Sequence, residues 1–238
     1  SWLRTGSKEE AEGLVVQSVW RRAKYAVLQL GGEDASRLLV LHYRMTGKTV
    51  RLGGGRRHIR ALLVPESGEA VGFDDARRLG QAWLLRKEDA ETFWTERRLG
   101  PEAWPVERDG RWWMEQLGGI RGQLKPSLMR QEKVAGIGNI LATEICHRAG
   151  LAPDTKACLL SIEEWGAVAE ACRQAIENVL LKESGDEIHF LAQKQSAPSP
   201  FLAYGRADMP CLRCGSASIK ESRQSGRSTF HCPSCQPS

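Results

Sequence analysis

Four cysteines near the C-terminus constrain this chain more than any other feature. Cys211 and Cys214 form one Cys-x-x-Cys pair and Cys232 and Cys235 a second, with seventeen residues between them. Each pair can present two thiolates from one tight turn, and two such turns complete a tetrahedral tetrathiolate site for one structural Zn2+. The stretch between the pairs, 219–230, reads as two short strands around Ser225-Gly226, with Arg227 at the tip. Two roles are open to such a hairpin. It either staples the C-terminus or serves as a rigid mount that pushes Arg227 into a partner.

Charge bears on the choice. The 238 residues carry a net charge of +5, and the placement says more than the total. Arg and Lys cluster at Arg21-Arg22-Ala23-Lys24, at Arg56-Arg57-His58 and at Arg77-Arg78, and from Arg206 onward five basic residues face two acids. Each cluster lies beside a turn or strand end, as a surface that follows phosphates would require. No run of eighteen apolar residues occurs, so no membrane span is expected, and the N-terminal residues lack the basic-then-apolar pattern of a signal peptide. Cys146, Cys158 and Cys172 have no paired spacing and sit in or beside apolar helical stretches. Buried free thiols and a reducing, cytoplasmic setting are expected for them.

From Leu14 to Leu85 the pattern is short apolar runs broken by turns: 14–20, 25–30, 37–42, 48–52, 59–64 and 70–73. Turn signals such as Gly31-Gly32, Gly53-Gly54-Gly55 and Pro65-Glu66-Ser67-Gly68 recur between them, which predicts an antiparallel sandwich or barrel. Residues 1–13 read as a connection from a helix into the first strand. After Leu85 the period changes to helical. Helices are predicted over 87–99, around Trp112, Trp113 and Leu117, over 124–130, and over 139–149 with Gly150 as a left-handed C-cap. Ser161-Ile162-Glu163-Glu164 starts a long helix with a capping box, running to about Leu181. The polar, Pro/Ser-rich stretch 185–203 reads as a linker. The fold class is thus a multidomain α+β chain, divided as 1–100 (β-sandwich), 101–203 (helical) and 204–238 (zinc hairpin).

Gly136-Ile137-Gly138-Asn139 sits directly before a helix start. Exposed, positively polarised amides there suit a phosphate oxygen, and Asn139 adds a neutral donor; with Lys125-Pro126 upstream, the segment reads as a clamp on a nucleic-acid backbone. Lys24 falls at the start of a strand, on its polar side. Met45, an apolar residue in a turn, suits the gap left by an extruded base.

Taken in order, the segments Arg22–Tyr25, His42–Gly47, Asp74–Gly80, Lys125-Pro126, Val134–Glu144, Ala203–Arg206 and Gly226–Cys232, with the four cysteines, resemble the formamidopyrimidine-DNA glycosylase / endonuclease VIII family. The resemblance spans about residue 14 to the C-terminus. It implies an N-terminal β-sandwich, a helix-two-turn-helix domain and a zinc-finger hairpin, with damaged duplex DNA held in the cleft between lobes. It also implies a bacterial, nucleoid-associated, monomeric repair enzyme that flips out and removes an oxidised base, then nicks the abasic site by β,δ-elimination. By position, Lys24 matches a lysine contacting phosphate beside the lesion and supporting catalysis. Met45 and Arg78 match residues inserted into the duplex void, Asn139 and Arg227 match phosphate-clamping residues, and Gly138 and Lys125 fall in the same DNA-binding set. Between lesion classes, overall similarity favours oxidised purines of the 8-oxoguanine and formamidopyrimidine type.

Two departures from the pattern stand out. Leu79 replaces the ring that commonly follows the paired arginines, which implies a differently shaped wedge. The family nucleophile is an N-terminal proline followed by glutamate, whereas this sequence opens on Ser1, and Lys24 falls about thirty residues earlier than the pattern's turn spacing places it. Two readings follow: a sequence starting inside the first domain of a longer enzyme, which is preferred, or a non-catalytic damaged-DNA-binding protein.

Overall fold

In the computed structural model, residues 2–32, 36–51, 58–105, 107–182 and 200–237 are described. They fall into two compact units, Ser1–Arg98 and Leu99–Ser238. The predicted Gly53–Gly55 turn and most of the 185–203 linker lie outside the described residues.

Among the described residues the first unit has seven strands: β1 (Val15–Arg22), β2 (Tyr25–Gly31), β3 (Ser36–His42), β4 (Gly47–Arg51), β5 (Ile59–Leu63), β6 (Val71–Asp75) and β7 (Gln81–Arg86). They form antiparallel sheets of order β1-β2-β3-β7 and β4-β6-β5. Why β3 is apolar without alternation is clear from its two faces. Leu38 and Val40 pack with Val27, Leu85 and Phe93 on one side, while Leu39 and Leu41 pack with Leu30, Ala82 and Leu84 on the other. Side chains alternate across a strand, so a strand covered on both faces must be apolar at every position. Helix α1 (Ala90–Glu96) covers the first face with Phe93 and Trp94.

Two local expectations are corrected here. Strand β7 was absent from the predicted runs, yet it pairs along its whole length with β3. Within 1–13, expected to be a connection, residues 2–5 lie along β7, while 8–13 form turns that lead into β1. Arg4 N–H donates to Ala82 O, Ala82 N–H to Trp2 O and Leu84 N–H to Thr5 O. The reason is burial: Trp2 and Leu3 join the apolar face beneath β7, with the Trp2 ring 4.8 Å from that of Phe73.

The second unit holds α2 (Gly110–Leu117), α3 (Leu124–Leu128), α4 (Asn139–Ala149), α5 (Ile162–Lys182) and the hairpin β8 (Lys220–Gln224) and β9 (Arg227–His231). Trp113, Leu117, Leu124, Leu128, Ile137, Ile145, Trp165 and Val168 form its core. Helix α4 ends where Gly150 turns left-handed at φ 73°. Helix α5 opens with the reciprocal capping box: Ser161 N–H donates to Glu164 Oε2 and Glu164 N–H to Ser161 Oγ. Cys146 and Cys172 are buried as expected, their thiols pushed up to about 12 by burial. Cys158 is exposed, contrary to expectation, because it lies in a short turn before α5 and not on a helix face.

Because the Ser161 hydroxyl satisfies an otherwise orphan amide, Ser161→Ala is expected to destabilise α5 by about 1 kcal/mol. Urea unfolding followed by tryptophan fluorescence checks this; an unchanged midpoint would mean the box does not hold the helix start.

Candidate nucleic-acid interface and metal centre

In the first unit, one buried carboxylate organises two exposed turns. Asp75 ends β6 and is fully buried. Its Oδ1 accepts from the Thr46 hydroxyl and its Oδ2 from Gly80 N–H at 2.7 Å, while its own carbonyl accepts from Arg78 N–H at 3.4 Å. Thr46 belongs to the turn that carries Met45, and Gly80 closes the turn that carries Arg78. Both turns need glycine: a Cβ on Gly47 would lie 2.5 Å from Tyr43 O, and one on Gly80 would lie 2.6 Å from the Phe73 ring. Met45 is 72% exposed, an unusual place for a long apolar side chain, and the Arg77 guanidinium reaches its sulfur at 3.8 Å. Arg78 is exposed, with its backbone at φ 56°. Leu79 is partly exposed beside it.

Lys24 is not on a strand, as the sequence suggested, but in the two-residue turn between β1 and β2, after Ala23 at φ 52°. Arg22 pairs with Tyr25, so the turn directs Lys24 off the end of the sheet. His42 ends β3 opposite Tyr25, whose ring stands edge-on at 4.7 Å. Burial, reinforced by the charges of Arg44, Lys24 and Arg97, pushes its pKa down to about 4. The ring is therefore neutral at pH 7. Its Nδ1 accepts from Arg44 N–H at 3.1 Å, so its proton sits on Nε2. A neutral donor flanked by Lys24 and Arg44 suits a phosphate oxygen. The sequence reading passed over His42 as a site residue, because a lone histidine at a strand end carries no signal until its neighbours are known.

In the second unit, α4 and β9 converge on one atom. The Ser228 carbonyl accepts from Lys125 Nζ at 3.0 Å and from Asn139 Nδ2 at 3.0 Å, and Lys125 Nζ also donates to Thr229 Oγ1 at 2.7 Å. Lys125 is only 1% exposed, and burial lowers its pKa to about 8. Its ammonium is bonded to the hairpin through the Ser228 carbonyl and the Thr229 hydroxyl. Asn139 begins α4 after Gly138, whose extended backbone (φ −112°, ψ −177°) brings no side-chain cap to the first helical amides. Gly136, at φ 98°, makes the preceding turn, held by Gln131, which accepts from Gly136 N–H and donates to Ile137 O. Next to Ser228, Arg227 stands exposed after Ser225 and Gly226, both at positive φ (48° and 74°), the geometry of a type I′ hairpin.

The Sγ atoms of Cys211, Cys214, Cys232 and Cys235 all lie within 4.8 Å of one another. Cys211 and Cys235 are separated by 3.9 Å and Cys214 and Cys232 by 3.7 Å. A tetrahedron with zinc–sulfur bonds of about 2.3 Å has edges of about 3.8 Å, so the four sulfurs fit that ion with little movement. Arg213 N–H and Cys235 N–H point at Cys211 and Cys232 sulfurs, each at 3.4 Å, as donors to thiolates do.

Comparison with known proteins agrees with this layout. The family model described as the formamidopyrimidine-DNA glycosylase N-terminal domain matches residues 3–82, and that of the formamidopyrimidine-DNA glycosylase H2TH domain matches 99–189. The formamidopyrimidine-DNA glycosylase of Gluconobacter oxydans is 34% identical over 239 residues, covering 96% of this chain and 85% of its own length. That of Vibrio cholerae is 32% identical over 242 residues, covering 99% and 87%. Among solved structures, MutM in complex with DNA containing carbocyclic 8-oxo-G is similar with a TM-score of 0.81 at 26% identity, covering 97% of this chain and 85% of that one. Lactococcus lactis Fpg in complex with abasic-site DNA gives a TM-score of 0.82 at 25% identity with the same coverage.

Burial disfavours the Asp75 charge, but the Thr46 hydroxyl and the Gly80, Arg77 and Leu79 amides outweigh it and hold the pKa below the ordinary 3.8. Its contribution to stability is therefore fully present above that value and is lost as pH falls through the lower, folded-state value. Asp75→Ala, which orphans two buried donors, is expected to cost about 3 kcal/mol at pH 7. In urea unfolding the gap to the parent protein should narrow below pH 3.8; a pH-independent gap would remove the charge from this account.

Proposed function

This chain belongs to the formamidopyrimidine-DNA glycosylase family, and from that premise we propose that it acts in base-excision repair as a DNA glycosylase and abasic-site lyase. The reaction is removal of an oxidised base, of the 8-oxoguanine or formamidopyrimidine class, from duplex DNA. Nicking of the abasic site by β,δ-elimination follows. The relatives are named for that substrate class, and the similar structures are complexes with damaged DNA. The observation that carries the reading is the convergence of Lys125 and Asn139 on Ser228 O, which holds Arg227 beside the start of α4.

The division of labour follows from the geometry of each unit. Asn139, the uncapped amides after Gly138, and Arg227 grip one stretch of sugar-phosphate backbone through neutral and cationic donors. Lys24, with the neutral Nε2–H of His42, engages phosphate from the first unit, and Lys24 supports catalysis. Met45 and Arg78, on turns tied to one carboxylate, enter the space an extruded base leaves. Leu79 makes that wedge aliphatic. Lys125 contributes indirectly, by positioning Ser228. One Zn2+ bound by Cys211, Cys214, Cys232 and Cys235 holds the hairpin shape, since the apolar cluster beneath it is small. In this reading the lyase step needs an amine that attacks the sugar C1′, expels the base and forms a Schiff base from which the phosphates are eliminated. The protein is read as a monomer of the bacterial cytoplasm acting on the nucleoid, divided as 1–100, 101–203 and 204–238.

Borohydride trapping tests the reaction, with the protein expressed from its gene and incubated with duplex DNA carrying one abasic site. A covalent adduct whose peptide map places the sugar on an amine is the expected result. Tight binding with neither adduct nor nick would instead identify a non-catalytic damaged-DNA-binding protein.

Salt titrations separate contact from support. Arg227→Ala is expected to weaken binding to all sequences alike and to lower the slope of log K against log salt by about one phosphate contact. Lys125→Met is expected to weaken binding with the slope unchanged, because that ammonium neutralises no phosphate. A reduced slope for Lys125→Met would return Lys125 to the contact set.

A further inference from the structure

Helix α4 carries Asn139 at its start and His147 eight residues later, about 12 Å along the axis at 1.5 Å per residue. Nothing in the proposed DNA contacts uses His147, yet the ring is fully buried. Its Nε2 lies 3.4 Å from Cys211 Sγ, and its Nδ1 is buried with no hydrogen-bond partner among the described residues. The two nitrogens settle the tautomer. A proton on Nδ1 would bury an unmade donor and aim a lone pair at the sulfur, whereas a proton on Nε2 makes an N–H···S bond and leaves only an acceptor orphaned. His147 is not itself a ligand, because the four cysteines alone make up the ligand cluster among the described residues.

The contact sits within a wider junction. Arg213, inside the first Cys-x-x-Cys turn, donates through Nη1 to His147 O at 3.1 Å and to Arg148 O at 3.3 Å. Gln236, just after Cys235, donates to Leu151 O at 2.8 Å and accepts from Cys232 N–H at 2.9 Å. The last turn of α4 and the residue after its cap are thus bonded to both cysteine turns. Three of these bonds are to backbone carbonyls; the His147 bond is to a sulfur of the four-cysteine cluster.

We propose that His147 is a positioning residue of the metal centre: its Nε2–H donates to the Cys211 thiolate, offsetting negative charge at a dianionic tetrathiolate site and tying that site to α4. Cys211 then receives two donors, His147 and the Arg213 amide. Through α4 the metal centre is connected to Asn139. This rests on zinc occupying the four-cysteine site, so the metal content of the full chain is measured first. Less than one zinc per chain would sink the metal reading itself and not this refinement of it.

With one zinc bound, the full chain, His147→Phe and His147→Gln are compared. His147→Phe keeps a ring of similar size and removes the donor, so zinc release to a chelator should be about tenfold faster. After cobalt(II) replacement, its thiolate-to-metal charge-transfer band should shift. His147→Gln, which restores an N–H, should recover part of both effects. A parent-like His147→Phe, or a His147→Gln as perturbed as His147→Phe, would overturn the proposal in favour of simple packing. If either variant fails to fold, 15N NMR of the unmodified zinc-loaded chain decides the matter. A proton on His147 Nε2, with scalar coupling to 113Cd after cadmium substitution, supports the bond, and a proton on Nδ1 overturns it.

Discussion

The carbonyl oxygen of Ser228 is the point on which the DNA-facing part of the second unit depends. It accepts one bond from the buried ammonium of Lys125 and one from the amide of Asn139. Neither donor would be bonded this way in a free helix or a free hairpin. A lysine at 1% exposure costs several kcal/mol in desolvation unless its protons are used, so the ammonium strongly favours arrangements in which β9 lies against α3 and α4. The depressed lysine pKa, about 8, is the remaining part of that cost. Arg227 precedes the shared carbonyl by one residue. Its position relative to the α4 amides is therefore set by one charge-assisted bond from Lys125 and one neutral bond from Asn139.

The first unit solves a similar problem with the opposite charge. Met45 and Arg78 sit on turns separated in the chain by β4, β5 and β6, and an exposed methionine has little packing to hold its turn in place. Asp75 supplies the missing constraint from beneath, with one carboxylate oxygen for each turn. The wedge role proposed for these turns needs an apolar tip on a base that does not yield, and a buried carboxylate bonded to both glycine-tight turns is a base of that kind. In each unit a buried, ionic group fixes an exposed one: Asp75 beneath the turns of Met45 and Arg78, and Lys125 beside Arg227.

This division explains what was legible in the sequence. The zinc turns, the Ser225-Gly226 hairpin, the Gly150 cap and the Ser161–Glu164 box all depend on residues within a few positions of one another, so spacing alone reveals them. Met45 and Arg227 were legible as oddities of exposure and charge. Lys125 was legible as a residue of interest, but its bonds to Ser228 and Thr229 were not, because those partners lie 103 and 104 residues away. Asp75 was missed for the same reason: its partners come from β-turns before and after it that local patterning does not pair. His42 needed Lys24, Arg44 and Arg97 as neighbours before its neutrality had meaning. Strand β7 was missed because its apolar run precedes a helix without a clear break.

The hairpin also shows why a metal bound by the four cysteines would not be a remote staple. Ala203, Cys211, Ile219, Phe230 and Cys232 are its buried apolar residues, too few to stabilise two five-residue strands on their own. Stability must come from outside the module, and it enters from two ends. At one end Lys125 and Asn139 bind the strand backbone, and at the other His147, Arg213 and Gln236 join the cysteine turns to α4 and the residues just beyond it. A helix that is bonded at its start to the hairpin strand and at its end to the metal turns transmits a change at either point. With zinc at the proposed site, its loss would loosen more than the tip: it would weaken one of the two anchors that keep α4 and Arg227 in a common frame.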